Sequence, residues 1–197
     1  MACFIYINGY PGVGKPTIAN ALSKLIPGSR VFHNHLVIDH VAAMLDRDDA
    51  ESYNDLRTTF RKQALDAIAT HAALAGKTFI FTDARESSPL SSGAARDHNA
   101  AAERRGVPFI SVVLRCDLDE NVKRLAGRRC VGGDEAVSNT KLTDGEILRK
   151  VRDMETIFEC GDENEMYLGV TTLGSGDAAL LILQHVNAVY CRMEKDG

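Results

Sequence analysis

Near its N-terminus the chain reads Gly9-Tyr10-Pro11-Gly12-Val13-Gly14-Lys15, shortly after the apolar run Phe4-Ile5-Tyr6-Ile7. Beyond this stretch, apolar residues recur at helical spacing, as in Ile18, Leu22 and Leu25. A strand, a glycine-rich turn ending in Gly-Lys and a helix, in this order, are typical of a phosphate-binding loop. Glycines let backbone N–H groups approach phosphate oxygens, and a helix start adds unpaired N–H groups and the positive end of the helix dipole. The sequence therefore predicts a nucleotide site at this loop, called the P-loop below (residues 9–15).

The predicted nucleotide site comprises the P-loop and the first turn of the following helix. Lys15 would reach the outer phosphates with its flexible, charged side chain. The residues predicted to bind the nucleotide are Gly9, Pro11, Gly12, Val13, Gly14, Lys15, Pro16 and Thr17.

One of these positions departs from the usual motif. After the lysine, a P-loop normally has serine or threonine, whose hydroxyl binds the Mg²⁺ that accompanies the nucleotide. Pro16 occupies that position here and provides neither a hydroxyl nor a backbone N–H. Thr17 lies about 100° further around the helix, so it cannot simply replace the missing ligand, although it could meet the metal or the α-phosphate. The sequence thus favours nucleotide binding over strongly metal-assisted catalysis.

The composition limits the class of protein. The 197 residues are 45% hydrophobic and 25% charged, which is ordinary for one globular domain or one domain with an inserted lid. The net charge of −4 argues against a protein that coats nucleic acid. No run suits a bilayer span or a leader, and the five cysteines include no C-x-x-C pair. We predict a soluble, cytoplasmic protein without nucleic-acid or membrane partners, and its oligomeric state is left open.

Strand-like and helix-like segments alternate along the chain. Apolar, β-prone runs end at Asp83 and Cys116, and residues 167–173 resemble a last strand. A long helix is predicted over about residues 54–75. The alternation predicts an α/β fold, with a mostly parallel five-stranded sheet that has helices on both faces.

Two further segments complete the predicted architecture. Residues 128–142 contain Gly132-Gly133 and little periodicity, which predicts a small mobile lid. Thr143 and Glu146 form a predicted capping box that opens the next helix. Ligands of parallel sheets bind at the carboxyl ends of the strands. The residues predicted to lie there are Gly9, His33, Asp83 and Cys116.

With the P-loop, the strand end at Asp83 and the arginines near residue 128 in this order, the chain resembles the P-loop small-molecule kinases. These include adenylate-kinase-like, gluconate-kinase-like and chloramphenicol-phosphotransferase-like proteins, which contain AAA-type ATPase domains. The resemblance covers nearly the whole chain in the order of elements. It implies a P-loop NTPase fold, a three-layer sandwich in one domain over residues 1–197. It also implies ATP and Mg²⁺ as cofactors and phosphoryl transfer to a small-molecule acceptor.

The resemblance assigns roles to residues after the third predicted strand. Asp83 matches the carboxylate that holds Mg²⁺, through water, or orients the acceptor, so a catalytic and a metal-binding role are predicted for it. Arg85 is assigned to the substrate site. The alternative is that Asp83 caps a helix or forms an ion pair in the loop.

The stretch from Asn34 to Asp39 lies where relatives of this type keep acceptor-binding residues and a catalytic base. Phosphoryl transfer needs a carboxylate near the acceptor hydroxyl to take its proton. Asp39 is the predicted base, and Asn34 and His35 are predicted to hold the substrate. The alternative places Asp39 on the solvated side of a helix.

Arginines after the fourth predicted strand correspond to lid arginines of similar kinases. Guanidinium groups match the charge that spreads over a phosphoryl group during transfer, so catalytic roles are predicted for Arg124 and Arg128. A basic helix face exposed to water is the alternative. Arg57 and Arg61, one turn apart on the long helix, could face an anionic acceptor, but solvent exposure is predicted for both.

Two functions of different classes follow from these observations. The first is an ATP-dependent kinase of a small molecule. The second, motivated by Pro16, is a catalytically weak or inactive nucleotide-binding protein that acts as a switch or scaffold.

Overall fold

The computed structural model describes residues 2–127, 142 and 144–196. Within these residues the chain forms five strands and seven α-helices. The strands are β1 (Phe4–Gly9), β2 (Arg30–His33), β3 (Phe79–Thr82), β4 (Phe109–Arg115) and β5 (Met166–Gly169). The helices are α1 (Lys15–Leu25), α2 (His35–Ala42), α3 (Ala50–Thr70), α4 (Pro89–Arg105), α5 (Leu118–Gly127), α6 (Gly145–Met154) and α7 (Ser175–Asp196).

The five strands form one sheet in the order β2-β3-β1-β4-β5, and all four pairings are parallel. β1 is central, between β3 and β4, so the P-loop leaves the middle of the sheet. The predicted α/β fold with a five-stranded sheet is confirmed. The strands end at Gly9, His33, Thr82 and Arg115, so the predicted clustering of strand ends on one edge is also confirmed.

Side chains of the strands alternate between two cores, because successive residues of a strand point to opposite faces. Ile5 and Ile7 of β1 belong to one core, which α1 and α7 cover. Phe4 and Tyr6 belong to the other core, which α3 and α4 cover. Helices therefore lie on both faces of the sheet, as the three-layer prediction requires. Burial on both sides explains why the three central strands, β1, β3 and β4, are largely apolar.

Three boundaries differ from those predicted, and capping explains two of them. The carboxylate of Asp49 accepts from the backbone N–H of Ser52 at 3.1 Å, so α3 begins at residue 50. α3 ends at residue 70, before the predicted end at residue 75. The cap of α6 is Asp144, which accepts from the backbone N–H of Glu146 at 2.8 Å. Asp144 therefore caps α6 in place of the predicted Thr143, which lies outside the described residues. β5 ends at Gly169, short of the predicted residue 173.

The predicted lid lies outside the described residues, except for Leu142. Arg128, Arg129 and Lys141 lie outside them as well. None of the described helices combines the length and the apolarity that a membrane span needs.

Candidate functional site

The backbone of the P-loop favours glycine at three places. Gly9, Gly12 and Gly14 have φ angles of +150°, +94° and +101°, which residues with side chains rarely adopt. A Cβ atom on Gly9 would lie 2.8 Å from the carbonyl oxygen of Leu114, and one on Gly12 would lie 2.5 Å from Nδ2 of Asn121. Gly14 is the N-cap of α1, so the loop leads directly into a helix N-terminus, where backbone N–H groups favour anions.

Two polar side chains that the sequence analysis missed support the P-loop. Asn121 on α5 is fully buried and donates from Nδ2 to the carbonyl oxygen of Pro11 at 2.9 Å. Arg152 on α6 donates to Oδ1 of Asn121 at 3.1 Å, and its guanidinium lies 4.8 Å from the centre of the Tyr10 ring. Asn121 shares the buried side of α5 with Leu125. The sequence signal that could have identified Asn121 was therefore a polar residue at a helix position where the spacing predicts an apolar one.

Lys15 opens α1 and is largely buried. Its Nζ donates to the carbonyl oxygens of Gly9 and Tyr10 at 2.5 and 2.8 Å. These bonds hold the ammonium group against the P-loop. Phosphate oxygens are stronger acceptors for a cation than neutral carbonyls, so an incoming phosphate could replace them.

A cavity of about 200 Å³ lies beside the P-loop where β1 and β3 end, and it is called the main cavity below because Lys15 and Asp83 both line it, not because of its size. The P-loop and α1, the start of α2, α3 and the end of β3 all contribute to its walls. Pro16 belongs to its lining, and the polar residues there are Lys15, Asn34, His35, Arg57, Thr82 and Asp83. The structure thus brings together the lysine of the predicted nucleotide site, Asp83 and two predicted substrate residues.

Asp83 follows β3 and is only 3% exposed. Its Oδ1 accepts from Nδ2 of Asn34 at 2.6 Å and from the backbone N–H of Ala84 at 2.9 Å. Its Oδ2 accepts from Nε of Arg85 at 2.8 Å and from the hydroxyl of Tyr6 at 3.4 Å. The ion pair that the sequence left open as an alternative is therefore present. The metal-binding and catalytic roles of Asp83 stay predictions.

Burial and the Asp83–Arg85 ion pair set the protonation of this cluster. Burial by itself would raise the pKa of Asp83, but the charge and hydrogen bond of Arg85 hold that pKa below the ordinary value of 3.8. Burial, together with the negative charge of Asp83, raises the pKa of Tyr6 well above 10. At neutral pH the carboxyl group is therefore an anion and the phenol a donor.

The remaining predicted substrate and base residues are distributed around this cluster. Asn34 and His35, at the start of α2, both line the main cavity. Asp39 is half-buried and lies one helical turn after His35. Arg85 forms an ion pair with Asp83. Neither Asp39 nor Arg85 belongs to the lining that the described residues form. Their roles as base and as substrate-binding residue stay predictions.

Arg124 lies on the other side of the P-loop. Its guanidinium donates to the carbonyl oxygens of Val13, Val170 and Thr171 at 3.4, 2.7 and 2.9 Å. It also pairs with Glu120 at 2.9 Å. Arg124 therefore links α5 to the P-loop and to the segment after β5, and its catalytic role stays a prediction.

A second cavity, of about 220 Å³, opens beside Arg124. Gly14 and Thr17 form one side of it, and Val170 and Leu173 form another. The P-loop and the start of α1 therefore separate two cavities, and Thr17 lines the one that lacks Asp83.

The predicted solvent exposure of the two arginines on α3 is wrong. Arg61 is buried and pairs with Asp97 at 2.8 Å, and Arg57 is half-buried and lines the main cavity. Both lie at intervals of four residues between Tyr53 and Leu65, which are buried. Residues four apart share a helix face, so this spacing was the signal that places them on the inner side of α3.

Mg²⁺ binds oxygen ligands, so a metal site beside the P-loop would need side-chain oxygens that face the nucleotide. Pro16 has no side-chain oxygen, and Thr17 lines the second cavity. Both carboxylate oxygens of Asp83 already accept hydrogen bonds from the protein. No group of three or more His, Cys, Asp or Glu side chains in the described part of the chain is arranged to hold a metal ion. These residues do not fit direct coordination of Mg²⁺.

The chain belongs to the AAA domain family, whose sequence model matches residues 5–142. No functionally curated protein matches the sequence significantly. The resemblance to P-loop small-molecule kinases is confirmed, and it extends to the fold of solved structures.

Three solved structures illustrate this similarity of fold. A gluconokinase from Sinorhizobium meliloti 1021 is 10% identical, with 98% of this chain and 96% of that chain covered and a TM-score of 0.62. The tunicamycin resistance protein of Deinococcus radiodurans is 21% identical, with 94% and 96% covered and a TM-score of 0.57. The Mycobacterium tuberculosis APS kinase, solved with AMPPNP and APS, is 14% identical, with 94% and 98% covered and a TM-score of 0.59.

Proposed function

We propose that this chain transfers the γ-phosphoryl group of ATP to a small-molecule acceptor. The observation that carries the proposal is that the P-loop forms a wall of the main cavity, with Lys15 on one side and His35 and Arg57 on another. A nucleotide whose phosphates occupy the P-loop would present its terminal phosphate to a molecule held by α2 and α3. The kinases among the structures of similar fold support the same reaction class.

The rest of the nucleotide has room on the opposite side of the P-loop. The second cavity adjoins Gly14 and offers the apolar Val170 and Leu173 together with the guanidinium of Arg124. Apolar side chains and planar guanidinium groups are suitable neighbours for a flat nucleobase. We infer that the base binds there, so that the triphosphate crosses the P-loop towards the main cavity.

The reaction forms a bond between an acceptor oxygen and the γ-phosphorus while the bond from that phosphorus to the β,γ-bridging oxygen breaks. ADP leaves with the bridging oxygen, and the proton of an acceptor hydroxyl passes to a base, for which Asp39 is our candidate. Such transfer depends mainly on positioning and on compensation of charge. Lys15 and the N-terminus of α1 would supply positive charge at the phosphates.

A transfer assay tests this proposal. The wild-type protein is incubated with ATP labelled at the γ-phosphate, with Mg²⁺, and with a broad panel of small hydroxyl, carboxyl and phosphate compounds. We expect labelled product from at least one compound and ADP in equal amount. ADP formed without any labelled product would indicate hydrolysis, and no turnover on any compound would contradict the kinase proposal.

A second candidate function is a nucleotide-dependent switch or scaffold without phosphoryl transfer. Pro16 and the fully engaged carboxylate of Asp83 favour it, because both reduce the protein's ability to hold the metal ion of a kinase. The two candidates differ in how strongly ATP binding should depend on Mg²⁺.

Replacing Pro16 by serine should make ATP binding more dependent on Mg²⁺. Pro16 lines the main cavity beside Lys15, so a hydroxyl at this position could reach the ion on the nucleotide. We expect the ratio of ATP affinities with and without Mg²⁺ to rise about 3- to 10-fold, the usual range for one added hydrogen bond or ligand contact. Isothermal titration calorimetry with and without EDTA measures this ratio.

Thr17→Val is the matched control for this experiment, because Thr17 carries a hydroxyl but lines the second cavity. The ratio should be the same in Thr17→Val and in the wild type. A ratio that falls in Thr17→Val would show that Thr17 already acts as a metal ligand. That result would contradict the conclusion that the described residues do not coordinate Mg²⁺ directly.

A further inference from the structure

The two arginines on the inner side of α3 have different surroundings. Arg61 pairs with Asp97 through both Nε and Nη2, at 3.2 and 2.8 Å. Arg57, one turn earlier, has a buried Nε that no hydrogen-bond acceptor among the described residues contacts. Arg61 thus has a protein counter-ion, whereas Arg57 has a buried N–H donor without an acceptor in the part of the chain that the structure describes.

The neighbours of Arg57 do not neutralise its charge. Its guanidinium lies 5.9 Å from the centre of the Tyr53 ring, and it lines the main cavity. Asp83 is the carboxylate in that lining, and it is already paired with Arg85 at 2.8 Å. Burial, reinforced by the positive charge of Arg85, lowers the pKa of Arg57 and outweighs the opposing effect of the Asp83 carboxylate, so the net effect of the surroundings is to disfavour the cation.

A partly buried cation without a counter-ion costs stability, so such groups commonly occur where a ligand supplies the opposite charge. The main cavity is lined by two cationic side chains, Lys15 and Arg57, which belong to different helices. Lys15 at the P-loop end would be engaged by the nucleotide. Arg57 and His35 lie on the α2–α3 side, where the acceptor would bind.

We propose that Arg57 binds an anionic group of the acceptor, so that the substrates of this protein are small molecules bearing a carboxylate or a phosphate besides the group that receives the phosphoryl. This inference rests on the proposed function. The five N–H donors of a guanidinium match two oxygens of either anion, and pairing would satisfy the buried Nε. Specificity follows, because a neutral analogue would leave that donor unsatisfied.

Anion binding to the ADP-saturated protein tests the inference. ADP occupies the P-loop, so an anion added afterwards reports on the remaining part of the main cavity. Inorganic phosphate and acetate are titrated separately, at constant ionic strength kept with sodium chloride, and the thermal unfolding midpoint is recorded. Acetamide serves as the neutral counterpart of acetate.

We expect at least one anion to raise the midpoint and acetamide to have no effect. Arg57→Gln should raise the concentration of that anion needed for half-saturation about 10- to 100-fold, the usual range for the loss of a charge-assisted hydrogen bond. Which anion acts distinguishes a phosphate-bearing acceptor from a carboxylate-bearing one. Without anion, the midpoint of Arg57→Gln should fall no further than that of Arg47→Gln, because each substitution loses a contact with the Tyr53 ring and the Nε of Arg57 has no acceptor among the described residues.

Arg47→Gln is the matched control. The Arg47 guanidinium lies 5.6 Å from the centre of the same Tyr53 ring, but Arg47 is exposed and does not line the main cavity. This variant therefore loses an equivalent ring contact and should keep the anion response. An unchanged response in Arg57→Gln, or no response to either anion in the wild type, overturns the inference.

A failure of the proposed function gives a different result. If ADP itself does not shift the unfolding midpoint, the nucleotide assignment fails. The anion titration is then repeated on Lys15→Ala without nucleotide, where the P-loop lysine no longer contributes. A response that Arg57→Gln removes in this background supports the anion site by itself, and a response that it leaves unchanged rejects the site.

Discussion

Lys15→Ala is expected to weaken ATP binding about 10- to 100-fold and to slow phosphoryl transfer about a hundredfold to a thousandfold. Lys15 is the cation of the P-loop, and its ammonium group lies against the carbonyl oxygens of Gly9 and Tyr10. On binding, it would exchange these neutral acceptors for phosphate oxygens. The exchange becomes most favourable when negative charge accumulates on the moving phosphoryl group, so the rate should suffer more than the affinity.

Calorimetric titration with ATP measures the affinity, and the labelled-ATP assay measures the transfer. Lys24→Ala is the matched control, because Lys24 is an exposed lysine in the last turn of the same helix. That variant should bind ATP like the wild type. If Lys15→Ala also keeps the wild-type affinity, the P-loop does not bind phosphates and the kinase proposal fails with it.

The second large effect concerns stability. Asp83→Asn is expected to lower the free energy of unfolding by about 3–5 kcal/mol, the usual cost of removing one partner of a buried ion pair. The substitution leaves the Arg85 guanidinium, whose side chain is only 11% exposed, without its carboxylate. It also disturbs the hydrogen bonds that Asp83 accepts from Asn34 and Tyr6, which tie α2 and β1 to the end of β3.

Urea unfolding measures this loss, and Asp66→Asn provides the control. Asp66 pairs with Arg104 at 3.1 Å, but both side chains are more than half exposed. Exposed pairs contribute at most about 1 kcal/mol, so the control should change little. Equal losses in the two variants would show that the Asp83 cluster contributes no more than a surface ion pair.

The effect of Asp83→Asn should also depend on pH. The pKa of Asp83 in the folded protein lies below the ordinary value of 3.8. Burial raises this pKa, but the charge and hydrogen bond of Arg85, the charge of His98 and the backbone N–H of Ala84 together outweigh burial. The unfolded chain therefore takes up the proton first as the pH falls. The stabilisation by this carboxylate is complete above the ordinary pKa and is lost as the pH falls through the folded-state pKa. The difference between the wild type and Asp83→Asn should shrink over that range and stay constant near neutral pH.

Local signals were sufficient for the elements and for the P-loop. The apolar run Phe4–Ile7, the glycines and the apolar spacing after Lys15 each report on neighbours within a few residues. Gly9 and Gly12 have the positive φ angles that their residue type permits, and the helix starts where the sequence suggests. Local signals were less precise at boundaries, because Asp49 and Asp144 cap helices in place of the predicted starts.

The partners of charged residues could not be predicted from the sequence. Asp83 and Arg85 were assigned to the metal and the substrate, with a loop ion pair as the alternative for Asp83, but the sequence did not identify Arg85 as its partner. Arg57 and Arg61 differ by one helical turn, yet only Arg61 meets the carboxylate of Asp97, which belongs to α4. Such pairings join residues far apart in sequence, and their geometry depends on how α3 and α4 pack on the sheet.

The sequence by itself determined the α/β class, the parallel sheet and the position of the P-loop, because strand and helix periodicity and glycine conformations are properties of short segments. The tertiary structure decided that Asn121 supports the loop and that Pro16 and Asp83 face one cavity while Thr17 and Arg124 face another. It also decided that the buried Nε of Arg57 meets no hydrogen-bond acceptor among the residues that the structure describes. These facts depend on distances between elements separated by many residues. Only packing on the two faces of the sheet fixes those distances.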